Sequence, residues 1–303
     1  VSRRYRINSR DRGDGSRDGT SGQGEQRLEA LIADAQMDGN FMKKVVMALS
    51  GGMDSTCLLM HYLAKDYDVL CVSYNYGQKH SVELERATST VRYCQENGYS
   101  LQHHIVDLSS ALSLFDSALT SPDQEVPRGH YEEDQMKQTV VPNRNAIFAS
   151  ILYGFAVSEA KRTHSRVVLA LGVHSGDHEI YPDCRPEFYT ALQTAFEIGN
   201  WDSELIEFDL PYLHGNKTSI LRDAIHTTER LGLDFDTVLA STITSYNPDE
   251  LGRSSGESGS DVERILAFHE IGRKDPIEYQ KPWEIVLQNA LQIAEEFEKG
   301  DSK

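Results

Sequence analysis

The heptapeptide Ser50-Gly51-Gly52-Met53-Asp54-Ser55-Thr56 is the densest group of anion-binding residues in the chain. It follows a β-branched run, KKVVMAL, and opens a stretch of helical periodicity from about Ser55 to Lys65. In a strand, turn and helix order, the first N–H groups of the helix point at whatever sits beyond the turn. Glycines let the backbone approach an anion, and the hydroxyls of Ser50, Ser55 and Thr56 add donors. Asp54 offers the hard oxygen that Mg²⁺ prefers when it rides on phosphates. The segment Ala48, Leu49 and Ser50 through Thr56 is therefore read as a nucleotide-phosphate site, against the plainer reading of a Ser/Gly turn that only caps a helix.

Further polar blocks lie where other strands should end: Tyr76-Gly77-Gln78-Lys79-His80, Val141-Pro142-Asn143-Arg144-Asn145, and Gly176 to Phe188, which contains YPDCRPEF. In an open α/β sheet, ligands bind at that edge. Arg144 is a candidate for the charge that develops on a phosphate, with Asn145 beside it. His174 and His178 are four apart with Asp177 nearby, but a strand end is a poor setting for a helical ligand pair, so a metal site there is disfavoured. Cys184 has no evident base and is read as a small packing residue rather than a nucleophile.

The elements that must position these groups alternate. Strands are expected at KKVVMAL, DVLCVSYNY, LQHHIVDL, RVVLALG and ELIEFDL. Helices are expected at about 55–65, 82–96, 143–161, 186–196 and 217–231. That pattern predicts an α/β fold, a five-stranded parallel, Rossmann-like sheet covered on both faces. The stretch 108–141 is too long for an ordinary connection and is read as a functional loop or lid. After Leu233 the alternation stops. Residues 247–261 read as an irregular polar loop followed by two helices, the second from about Pro282 to Lys299. Its apolar stripe comprises Trp283, Val286, Leu287, Ala290, Leu291, Ala294 and Phe297. The expected organisation is an extension over 1–41, disordered over 1–24 with a short helix over 25–38, an α/β domain over 42–240 and a helical region over 241–303.

The loop resembles the SGGxDS pyrophosphate loop of the ATP-pyrophosphatase superfamily, whose members cleave ATP to AMP and pyrophosphate while adenylating an oxygen. With YGQKH, VPNRN and YPDCRPEF, the chain resembles the QueC family of 7-cyano-7-deazaguanine synthases from about Lys43 to Tyr279. The resemblance implies ATP and Mg²⁺ as cofactors, Asp54 as the Mg²⁺ ligand, and conversion of 7-carboxy-7-deazaguanine and ammonia into the nitrile through an acyl-adenylate and an amide. It places Ser50, Asp54, Ser55, Arg144 and Lys217 in catalysis. Substrate contacts fall to Tyr76, Gln78, His80, Asp177, Tyr181, Asp183, Arg185, Glu187 and Phe188. Asp183 or Glu187 would accept from the guanine-like edge, Arg185 would pair with the carboxylate, and Tyr181 or Phe188 would stack.

The resemblance breaks near the C-terminus. The family pattern has four zinc cysteines, one in a Cys-Tyr pair and three in a CGxCxxC run; here the positions read Ser245, Ser255, Ser258 and Asp261. Hydroxyls are poor Zn²⁺ ligands, so zinc is not expected. Open alternatives are an enzyme that stops at the amide or passes the acyl group to another amine such as a protein N-terminus, another substrate for the same adenylation, or a non-catalytic nucleotide binder.

Composition narrows the classes. The 303 residues carry 47 acidic and 30 basic side chains, a net charge of −17 that disfavours binding to polyanions. The four cysteines are scattered, against a disulfide framework, and no run is long and apolar enough to span a bilayer. A cytoplasmic enzyme of small molecules is expected, with a homodimer through the last helix conceivable.

Overall fold

The computed structural model describes residues 43–77, 82–115, 141–174, 182–245, 249 and 251–300, with side chains to Glu296. The expected extension over 1–41, the centre of the 108–141 loop and residues Gln78, His80, Asp177, His178 and Tyr181 lie outside them.

Five strands form one parallel sheet: β1 (Lys44–Ala48), β2 (Asp68–Asn75), β3 (Leu101–Asp107), β4 (Val167–Ala170) and β5 (Ile206–Asp209), in the order β3-β2-β1-β4-β5. β1 is central, and Val45, Val46 and Met47 are wholly buried because helices cover both faces, which is why this strand reads as an unbroken apolar run. At its entry end Lys44 is buried between Asp68 at 2.7 Å and Glu159 at 3.0 Å. Burial works to lower its pKa, but the two carboxylates outweigh it and hold the ammonium above its ordinary value.

The covering helices are α1 (Met53–Ala64), α2 (Val82–Glu96), the single turn α3 (Ser109–Leu112), α4 (Arg144–Thr163), α5 (Pro186–Gly199) and α6 (Lys217–Leu231). α1 is buried along almost its whole length and packs on α6. Polar pins cross that contact: His61 Nδ1 lies 2.9 Å from Asp223, which also accepts from the Tyr212 hydroxyl at 2.6 Å. α6 has clear stop and start signals, an Asn216–Ser219 capping box and Gly232 in the left-handed region at its C-cap.

Three helices follow: α7 (Phe235–Ala240), α8 (Gly259–Glu270) and α9 (Trp283–Gly300). The six-residue α7 is too short to show a period. The first three residues of α8 lie inside the stretch read as loop, because Ser258 caps the helix and Asp261 returns the bond. Only part of the α9 stripe is covered: Val286 and Ala290 are buried against Val262 and Ile265, whereas Leu291 is 38% exposed. α8 and Tyr279 pack on that face, with Trp283 also reaching the main core, so the buried strip is narrower than the sequence suggests.

Arg264 in α8 is the largest fully buried side chain. Its guanidinium donates to both oxygens of the equally buried Asp275 at 2.6 and 2.9 Å, to the Thr242 and Thr244 hydroxyls at 2.7 and 2.9 Å, and to the Leu239 carbonyl at 3.3 Å. Asp275 also accepts from the Tyr279 hydroxyl at 2.8 Å and the Ile277 N–H at 3.2 Å. A charge pair so deep is tolerable only with its hydrogen bonds made, as they are here.

Candidate active site

The strand order reverses between β1 and β4, and at that reversal the segments leaving the C-terminal ends of both strands meet. After β1 the loop is wound by its own side chains: the Ser50 and Ser55 hydroxyls are 3.0 Å apart, Ser55 Oγ accepts from the Ser50 N–H and donates to the Gly52 carbonyl, and Gly52 N–H donates to Ser50 Oγ. Thr56 N–H makes the first helical bond, to Gly52 O at 3.1 Å. Among the described residues the N–H groups of Gly51, Met53, Asp54 and Ser55 find no acceptor. They form the unfilled donor set of a twelve-residue helix start.

The glycines also make room for close packing within the fold. Gly51 has φ +84°, and a Cβ there would sit 2.2 Å from the Glu83 carbonyl oxygen and 2.9 Å from the Ala87 nitrogen of α2. A Cβ on Gly52 would stand 3.4 Å from the Ile243 carbonyl oxygen, and Ile243 N–H donates to Gly51 O at 3.0 Å. The pair lets the loop nest against α2 and the 243 segment. Gly172, after β4, lies so close to α1 that a Cβ would be 3.1 Å from the Ser55 nitrogen. The side chains of Leu49, Met53 and Thr56 are buried in the core, so Thr56 Oγ1 does not present the donor expected of it, and the N–H groups of Leu49 and Thr56 are bonded within the chain, to Val72 O and Gly52 O.

Asp54, at the second position of α1, has Oδ1 buried without a hydrogen-bond partner. Its Oδ2 lies 3.8 Å from His174 Nε2 and 3.9 Å from Lys217 Nζ. Lys217, only 5% exposed at the start of α6, approaches two other groups more closely: His174 Nε2 at 3.0 Å and Glu263 Oε2 of α8 at 2.8 Å. With an ammonium donating, His174 Nε2 accepts and the ring proton belongs on Nδ1. His174 thus serves Lys217, and no cluster of three or more His, Cys, Asp or Glu that could hold a metal occurs among the described residues.

A second group surrounds Tyr76 and Arg144. Asn143 takes the left-handed conformation (φ 59°), which asparagine tolerates, and turns the chain into α4. Arg144, the first residue of α4, lies over the buried Tyr76 ring, 5.6 Å from its centroid. Burial, then Glu83, push the Tyr76 hydroxyl up in pKa, with Arg144 opposing. Asn145 is half-buried one position on. At the start of α5, Pro186 occupies the first turn after extended Arg185, which is exposed, as is Glu187; Asp183 and Phe188 are half-buried. Phe188 meets Tyr189 edge to face at 5.1 Å. Tyr189, which the sequence reading did not single out, is the buried member of this block; its hydroxyl is pushed up in pKa by burial, then by Cys184 and Asp183, and feels the Arg144 charge. Glu263 was also missed. No sequence signal marked it, since the burial of most of α8 appears only in the fold.

The sequence matches the family model described as "Queuosine biosynthesis protein QueC" over residues 44–272. The chain belongs to the QueC family. It is 43% identical over 239 residues to the 7-cyano-7-deazaguanine synthase of Marinomonas sp. (strain MWYL1), covering 78% of this chain and 99% of the relative. The synthases of Methanoregula boonei and Caldicellulosiruptor bescii are 41% and 40% identical, each over 237 residues and 78% of this chain, covering 99% and 97% of those relatives. Membership makes the chain an ATP-using synthase of the pyrophosphate-loop type.

A zinc of the kind implied by the family pattern does not suit the donors present. Asp261 is fully buried; burial raises its pKa, while the hydroxyls of Ser254, Ser258 and Ser245 pull it back. Ser255 stands apart, its hydroxyl accepting from the Glu257 N–H at 3.2 Å, and its neighbour Ser254 takes the buried place. Three hydroxyls and one carboxylate are a hard and weakly charged set, unlike the thiolates and imidazoles that hold structural zinc. The segment is fastened instead by the Ser258–Asp261 capping box, by Ser260 Oγ donating to Thr244 O at 3.2 Å, and by Ser254 exchanging backbone bonds with Glu278 and Gln280.

Proposed function

We propose that the chain adenylates 7-carboxy-7-deazaguanine and converts it with ammonia into 7-cyano-7-deazaguanine. The observation that carries the proposal is the open donor set at the start of α1, placed beside Asp54 and Lys217 at the strand reversal of a QueC-family chain. A substrate carboxylate oxygen attacks the α-phosphorus of ATP, the bond to the β-phosphate oxygen breaks, and pyrophosphate leaves. Ammonia then attacks the acyl carbon, AMP departs with the C–O bond electrons, and the nitrogen sheds a proton. The amide oxygen is activated by a second ATP in the same way, pyrophosphate leaving and the nitrogen shedding one proton to give the neutral O-adenylated imidate, and loss of AMP and the second N–H proton leaves the nitrile.

The N–H groups of Gly51, Met53, Asp54 and Ser55 would hold the leaving pyrophosphate, and Lys217 would balance its charge. Mg²⁺ fits at Asp54 because Oδ1 is a buried carboxylate oxygen without a partner, and one carboxylate plus phosphates is an ordinary ligand set for this ion. When bound, Mg²⁺ would neutralise phosphate charge. Arg144, braced on Tyr76, is assigned to the nucleotide, with Asn145; Asp183, Arg185, Glu187 and Phe188 are assigned to the deazaguanine. A net charge of −17 supports a small-molecule substrate in preference to a polynucleotide.

The test is mass spectrometry of products from ATP, Mg²⁺, ammonium and 7-carboxy-7-deazaguanine, with pyrophosphate followed in parallel. The nitrile with one pyrophosphate per activation is expected. The Ser/Asp cluster in place of the family's cysteines favours one second reading, a changed acyl acceptor. Accumulation of amide, or of a conjugate with an added amine, would establish that reading instead.

A further inference from the structure

We infer that Glu263 is a positioning residue for the adenylation site, holding Lys217 off Asp54 so that the carboxylate stays open for Mg²⁺ and phosphate. The inference rests on the adenylation reading. It makes α8, beyond the α/β sheet, part of the catalytic machinery.

An unrestrained lysine would close on Asp54. Four rotatable bonds let the ammonium swing, and the nearest uncompensated charge is Asp54, whose Oδ2 is only 3.9 Å away. A direct pair at about 2.8 Å would be favoured in so buried a place. It would occupy the oxygens assigned to the metal. The ammonium is instead drawn into an ion pair with Glu263 Oε2 at 2.8 Å and a hydrogen bond to His174 Nε2 at 3.0 Å, groups from two other segments. Of these only Glu263 carries a full opposite charge when His174 is neutral. Lys217 therefore stays near the phosphates without closing on Asp54.

Glu263 can do this because α8 is fixed independently of the site. Two residues before it stands Asp261 of the Ser258–Asp261 cap, and one residue after it Arg264 is locked to Asp275, Thr242, Thr244 and Leu239. The mount that replaces a metal knuckle thus also aims a carboxylate into the active edge.

The test compares wild type with Glu263→Gln, Lys217→Met and the double variant. Three readings are taken on each: carboxylate-dependent ATP–pyrophosphate exchange against Mg²⁺ concentration, calorimetric binding of Mg²⁺-pyrophosphate, and the melting midpoint. Glu263→Gln is expected to lower the exchange kcat by about a hundredfold. It should raise the Mg²⁺ concentration at half-maximal rate about tenfold and weaken Mg²⁺-pyrophosphate binding, leaving the KM for the carboxylate unchanged. Glu263→Asp should restore part of the loss. In the Lys217→Met background the Gln substitution should have little further effect. A Glu263→Gln protein with wild-type Mg²⁺ dependence and wild-type pyrophosphate binding overturns the inference, as does a loss of equal size in the Lys217→Met background. Should wild type show no exchange, the adenylation reading fails, while the binding measurement still decides whether Glu263 sets affinity for Mg²⁺-pyrophosphate.

Discussion

Two cation–carboxylate pairs, one wholly buried and one with its carboxylate partly exposed, are built in opposite ways. Arg264 and Asp275 form a closed pair: both oxygens are engaged by the guanidinium, whose remaining donors go to hydroxyls and a carbonyl. Lys217 and Asp54 form an open pair, 3.9 Å apart, with one carboxylate oxygen unpartnered and four helix-start N–H groups unfilled beside it. A closed pair returns its desolvation cost within the folded chain. An open pair leaves that cost standing until a ligand arrives, and this separates a region built for stability from one built for binding.

The comparison can be broken most sharply at its open end. Asp54→Ala should reduce pyrophosphate release by about a thousandfold with the melting temperature unchanged or raised, read by coupled assay and calorimetry. The closed end should behave in reverse: Arg264→Met leaves Asp275 buried and unpaired and should cost about 3–5 kcal/mol by urea unfolding. Gly172→Ala tests whether the open site depends on close packing. Its Cβ would stand 3.1 Å from the Ser55 nitrogen, so a loss of about 1–3 kcal/mol accompanied by weaker pyrophosphate binding is expected.

A smaller effect should appear at Asp261. Its pKa is raised in the fold by burial, so the folded state binds the proton more tightly than the unfolded state, and protonation favours folding. Stability from this group is present below the ordinary carboxylate pKa and is lost as pH rises through the raised folded value. Asp261→Asn should flatten that part of the unfolding profile measured across acid pH. The smallest expected effect is none: a strong chelator should leave the melting midpoint unmoved, because hydroxyls and a capping box hold the segment from Ser254 to Asp261.

Much of this was legible in the sequence where period and punctuation agree. The central strand read correctly because burial on both faces writes a continuous apolar run, and the helix expected over about 217–231 is α6, whose ends the structure fixes at Asn216 and Gly232. SGGMDST located the strand-to-helix turn with its open N–H groups, yet the packing of its glycines was hidden: the atoms they make room for belong to Glu83, Ala87 and Ile243, which no spacing connects to residue 51. Glu263 was illegible for the same reason. Lys217, His174 and Glu263 come together only through a sheet reversal and a helix packed from the far end of the chain. The serine positions could be read as a poor zinc site, but the entry of Ser254 in place of Ser255 is a matter of backbone direction that residue types do not encode.

The central claim is that the open site at the start of α1 cleaves ATP between its α- and β-phosphates on behalf of a carboxylate. Isotope exchange between labelled pyrophosphate and ATP, with and without 7-carboxy-7-deazaguanine and with ammonia withheld, tests it most directly. Label entering ATP only when the carboxylate is present is the predicted result. Exchange that ignores the carboxylate, or ATP consumed to ADP and phosphate, would contradict it.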